Sequence, residues 1–179
     1  MVATTAAQKH FTLEEFMANP LDQIEWVDGK LVEKDGVTVK HGKIQSRLGC
    51  AWANCRTLSK HGGEFYISPP CCTNQNIRRP DVAYLTPELV AQFGNLATLP
   101  QSFPLIAEIV SPTDIAEDVF LKAQEYLASS CQEVWLVFPE SCLIFVMTQN
   151  QILTFRSGDT ARTQQILLGF SIEVDRLLA

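Results

Sequence analysis

The chain has 179 residues, of which 46% are apolar and 19% charged, with a net charge of −6 and an isoelectric point near 5.0. That length suffices to bury a substantial core, and the composition is that of a globular protein, not a disordered one. So acidic a chain argues against tight non-specific binding of nucleic acid by counterion release. A local basic rim from Lys40, Lys43, Arg47, Arg78 and Arg79 is what would remain for approaching a polyanion.

The first ten residues, MVATTAAQKH, lack the basic and apolar regions of a secretory signal, and no apolar run reaches the ~20 residues of a membrane span. A cytoplasmic protein with no membrane association is the expectation. None of the six cysteines forms a C-x-x-C pair, which points to reduced structural thiols. With no repeat and no internal linker, a flexible segment over 1–10 and a single domain over 11–179 are expected.

In chain order, TLEEFM at 12–17 reads as a short helix with a Thr12–Glu15 capping box. IEWV and KLVE flank Asp28-Gly29, a strong hairpin signal. Ile44, Leu48, Ala51, Trp52, Cys55 and Leu58 recur at steps of three and four, which predicts an amphipathic helix over about 38–60, ended by Lys60-His61-Gly62-Gly63. Strands follow at 64–67, 81–85 and 104–110, with a helical turn near 87–93 between the last two. A helix at 115–128 is expected to open on an Asp114–Glu117 capping box, and a meander of three strands (133–138, 142–147, 151–155) comes after it. The tail predicts a strand and a helical turn. The sum is an α/β (α+β) chain: a mixed sheet with helices packed on it.

Asp81 opens an apolar strand although Asp is a poor strand former, and Glu108 lies inside the apolar run PLIAEIV. Strand alternation puts Ile106, Glu108 and Val110 on one face and Leu105, Ala107 and Ile109 on the other. A buried carboxylate must be paired, protonated or bound to a metal. For either acid alone a salt bridge, for instance to Lys122 or Arg79, would answer that need. Two carboxylates on neighbouring strands can also converge on one hard cation, with a backbone carbonyl (that of Ile109) and waters completing an oxygen shell. Lys122 shares a helical stripe with Asp118 and Tyr126, so it is either a cation beside that site or a surface lysine paired with Asp118.

These residues carry a resemblance. R-R-P-D-V-A-Y-L, P-L-I-A-E-I-V-S-P-T-D, K-A-Q-E-Y-L and E-V-W-L-V, in that order, resemble the PD-(D/E)XK nuclease superfamily, and more narrowly its bacterial Uma family. The match runs from F-T-L-E-E-F and W-V-D-G-K-L-V-E through to L-L-G-F-S-I-E-V. It implies a restriction-endonuclease-like mixed sheet flanked by helices, with Asp81 and Glu108 as the motif's acids holding Mg²⁺ or Mn²⁺. The superfamily's usual lysine, two residues past the second acid, is replaced by Val110. The resemblance implies that Lys122 on the following helix takes its role. Glu33 matches a family acid able to approach the same metal, or is a solvent-facing hairpin acid. His41 matches a position able to orient phosphate or water, or packs at the edge of the core. Phe138 stands where the family often has Asp.

Two functions follow. One is a metal-dependent endonuclease cleaving DNA, acting as a homodimer by analogy with the superfamily. The other is a binding or regulatory module that keeps the nuclease fold without turnover. The acidic charge favours the second; the intact trio Asp81, Glu108 and Lys122 favours the first.

Overall fold

The computed structural model describes residues 11–34, 38–58 and 62–179. The expected flexible segment 1–10 and the Lys60-His61 helix stop lie outside the described residues. Helix α1 (Leu13–Ala18) opens with the predicted capping box: Thr12 Oγ1 accepts from Glu15 N, and the Glu15 carboxylate accepts from Thr12 N. Strands β1 (Ile24–Val27) and β2 (Lys30–Glu33) then pair antiparallel. Asp28 and Gly29 between them both have positive φ, 49° and 78°, which a two-residue turn of this hand requires.

Helix α2 (Val39–Leu58) is followed by β3 (Glu64–Ile67), β4 (Cys71–Cys72), β5 (Ile77–Arg78) and β6 (Val82–Leu85). Next come α3 (Pro87–Phe93), β7 (Leu105–Ile109), α4 (Ala116–Leu127) and β8 (Glu133–Phe138). The chain closes with β9 (Leu143–Met147), β10 (Ile152–Arg156), β11 (Thr160–Arg162), β12 (Ser171–Glu173) and α5 (Val174–Leu178). The largest sheet has the order β10-β9-β8-β7-β6-β3, and a smaller one β2-β1-β5-β4. Strands β7 and β8 are the parallel pair, and α4 is the crossover that parallel neighbours need.

The alternation of β7 sorts the core into two layers. Leu105, Ala107 and Ile109 meet Ile44, Leu48 and Trp52 of α2, where Trp52 and Trp135 pack edge to face at 6.2 Å. Ile106 on the other face meets Ala123, Tyr126 and Leu127 of α4. A fully buried Ile106 or Leu105 contributes on the order of 2 kcal/mol of apolar burial, so covering both faces fixes the register of β7. Three expectations need correction. The short strands β4, β5 and β11 have too little pattern to be visible locally. Strand β6 begins one residue later than expected, leaving Asp81 just before it. The Asp114–Glu117 capping box does not form: Asp114 Oδ2 accepts instead from Ser111 N at 2.7 Å, and Ile115 is the N-cap of α4, with no side-chain cap.

Candidate active site

Strand pairing brings the two predicted acids together. Val82 lies opposite Ala107, so one step outward Asp81 faces Glu108, both at the end of the central strands. Asp81 is buried and held from three sides. Its Oδ2 accepts from the Ile109 N–H at 2.6 Å and lies 3.1 Å from His41 Nε2, and its Oδ1 lies 2.6 Å from Lys34 Nζ. A carboxylate only accepts, so the His41 hydrogen sits on Nε2. Glu108 is buried on the α4 face, where Oε1 accepts from the Tyr126 hydroxyl at 2.8 Å.

Two lysines complete the cluster. Lys122, from the second turn of α4, lies 3.0 Å from Glu108 and 2.8 Å from Glu25 of β1. Lys34, just past β2, touches Asp81 and lies 3.6 Å from Glu108, and it also donates to the Arg79 carbonyl at 2.6 Å. Glu25 is in turn reached by the Arg79 N–H and by Arg78, whose guanidinium forks onto Glu125 of α4. Opposite charges thus alternate from Asp81 through Lys34, Glu108, Lys122, Glu25 and Arg78 to Glu125.

Electrostatics follow the geometry. Burial alone would raise the Asp81 pKa, but the Lys34 ammonium and His41 outweigh it and hold the carboxyl well below the usual range. Burial opposes ionisation of Glu25 too, yet Lys122, Lys34 and Arg78 bring its pKa down to about 2. Burial would lower the Lys122 pKa, but Glu108 and Glu25 keep its ammonium well above the ordinary lysine value. Lys122 is therefore a permanent cation here, not a proton acceptor.

The cluster floors a cavity of about 700 Å³, also lined by Glu33, Val32, Asp118 and Ile109. Glu33 is exposed at the rim and forms no ion pair among the described residues. The basic rim is largely turned inward. Arg79 is buried against the Ile24, Ser68 and Leu21 carbonyls and Arg78 faces Glu25 and Glu125, whereas Lys40 stays at the surface, paired with Glu140. Asp118 lines the cavity but is not the partner of Lys122. Sequence reasoning passed over Lys34 and Glu25. Glu25 gave the signal used for Glu108, a carboxylate inside an apolar run; Lys34, next to a turn, gave none.

The donor set suits a hard divalent cation. Two carboxylates, offering oxygen alone, already meet one positive group. Among the described residues no group of three or more His, Cys, Asp and Glu side chains forms a metal cage. Two carboxylates would leave most of a cation's coordination positions to water, an arrangement magnesium accepts.

A family model described as "Uma2: Putative restriction endonuclease" matches residues 8–175. The chain belongs to that family. No curated protein matches it. Among solved structures it is similar to a protein from Anabaena variabilis described as "a putative nuclease belonging to DUF820", with 19% identity, a TM-score of 0.82, and coverage of 94% of this chain and 97% of that one. At that identity the likeness establishes the fold, which is restriction-endonuclease-like: a mixed sheet flanked by helices. Among the described residues no helix is long and apolar enough to cross a membrane.

Proposed function

We propose that the protein is a metal-dependent endonuclease that hydrolyses DNA phosphodiester bonds, with Asp81 and Glu108 holding Mg²⁺ or Mn²⁺. The observation that carries this reading is the meeting of two buried carboxylates, from adjacent strands, on a single cation at the floor of the cavity of about 700 Å³. The Ile109 carbonyl is proposed as a third oxygen donor. When bound, such a cation acidifies water and screens phosphate charge.

The chain's own groups do the rest. Ile109 N–H and His41 fix the rotamer of Asp81, and Tyr126 fixes that of Glu108. Lys122 donates to Glu25 and lies 3.0 Å from Glu108; a remaining N–H is offered to a phosphate oxygen, where a fixed ammonium stabilises the charge that grows as water attacks phosphorus and the P–O bond breaks. Glu33, at the rim of the same cavity, is proposed as a further carboxylate for that cation. Action as a homodimer would give one site per strand. In a plasmid-nicking assay with Mg²⁺ or Mn²⁺, Asp81→Ala, Glu108→Ala and Lys122→Ala are each expected to lower the rate by at least about 100-fold. Wild-type rates in all three variants would overturn the proposal.

One observation favours the second reading, a nuclease-fold module that binds without turnover: the cluster is already neutralised by its own lysines. Calorimetry with Mn²⁺ separates the two, since that module would bind no metal at millimolar concentration.

A further inference from the structure

Two lysines touch Glu108, and they are held differently. Lys122 is clamped between Glu25 and Glu108 and lies 5.9 Å from the centre of the Tyr126 ring. Lys34 follows β2, an edge strand whose four residues are all exposed. Its side chain lines the main cavity and also a second one of about 530 Å³. Among the described residues Lys34, His41 and Asp81 alone are common to both cavities, so Lys34 stands where the two cavities meet.

The acids do not need Lys34 to keep their orientation. Asp81 retains the Ile109 N–H and His41; Glu108 retains Tyr126 and Lys122. What Lys34 supplies is positive charge at the point the two carboxylates share, 2.6 Å from one and 3.6 Å from the other. Buried like charges in such proximity require it.

We propose that Lys34 is a resident placeholder for the divalent cation: its ammonium fills the point between Asp81 and Glu108 and leaves it when the cation binds. The inference rests on the metal-site reading above. It adds that metal binding is an exchange of one cation for another, and that it swings Lys34 into the open cavities, where it becomes a second cation available to a polyanionic ligand. The apparent metal affinity of the wild-type chain is lowered by the fraction of time Lys34 occupies the site.

The test is calorimetric titration of the full chain with Mn²⁺ alone, comparing wild type with Lys34→Met and Lys34→Gln. The glutamine variant keeps a hydrogen bond to Asp81 in case the methionine variant folds poorly. Thermal unfolding in chelator and in Mn²⁺ gives a second readout, because a tighter ligand raises the midpoint further. The expected result is an affinity about tenfold tighter in the variants, with a larger metal-induced rise in midpoint. Equal or weaker affinity in both variants overturns the placeholder role while leaving the metal site standing. Failure of wild type and variants alike to bind Mn²⁺ overturns both.

Discussion

Two glutamates are buried in the same parallel strand pair, Glu108 on the α4 face of β7 and Glu133 on the α2 face of β8. By sequence they are related, Glu108 an acid within an apolar run and Glu133 an acid that opens one. Their partners differ. Glu108 is met by two ammonium groups and a phenol beside a cavity. Glu133 is met by the Trp135 indole N–H at 2.7 Å and by the backbone N–H groups of Gln164 and Gln165, and it lines neither cavity described above. An ammonium on a flexible stem can be exchanged for another cation; a backbone amide in a fixed loop cannot. Burial of an acid marks a place that needs compensation, and the kind of compensation separates a site from a brace.

The largest test of that distinction removes the brace. Glu133→Ala leaves an indole and two backbone donors without their acceptor and should cost roughly 4 kcal/mol of stability, while Mn²⁺ binding by the folded fraction stays unchanged. Chemical denaturation checks the first part and calorimetry the second; a loss of metal affinity would break the contrast. The second test uses acid. The folded-state pKa of Glu25 is depressed, from 4.5 to about 2, so its contribution, roughly 3 kcal/mol, is present above pH 4.5 and lost as the pH falls towards 2. Burial instead raises the Glu133 pKa, so its titration has the opposite sign: the stability linked to it is present below the unfolded pKa and lost as pH rises through the folded one. Urea unfolding between pH 7 and pH 2 should show a steeper acid loss in wild type than in Glu25→Gln; identical slopes would mean that the cluster is not what acid undoes. The smallest effect is expected of Tyr126→Phe, which deletes one hydrogen bond to Glu108 and should cost about 1 kcal/mol. A several-fold drop in nicking with unchanged Mn²⁺ affinity would place Tyr126 in orientation of the acid.

Much of the fold was legible because periodicity is local. The Asp28-Gly29 hairpin, α2, α3, β7 and the β8–β10 meander all carry their pattern within a few residues. The exceptions are elements too short to have a period, and Asp114, whose carboxylate serves a turn at Ser111 in place of a helix cap. Within the site, strand parity set Glu108 on the face of Ile106, opposite Leu105 and Ala107, and helical spacing set Lys122 with Tyr126, because each relation lies inside one element. Lys34 and Glu25 were not legible as partners: they meet Asp81 and Lys122 across 47 and 97 positions, through the docking of a hairpin that local pattern does not specify. The Arg78-Arg79 pair looked like a rim for the same reason, since nothing local says that both point inward.

The exposed edge of the β1–β2 hairpin also bears on how the molecule comes together in time. Contacts that span so much chain carry the largest loop-closure cost and form slowly. A chain that has completed its central sheet but not docked the hairpin already holds Asp81 opposite Glu108, yet lacks both Glu25 and Lys34. Glu25 and Lys34 carry opposite charges, so docking the hairpin leaves the net charge of the mouth unchanged while it takes both charges out of water.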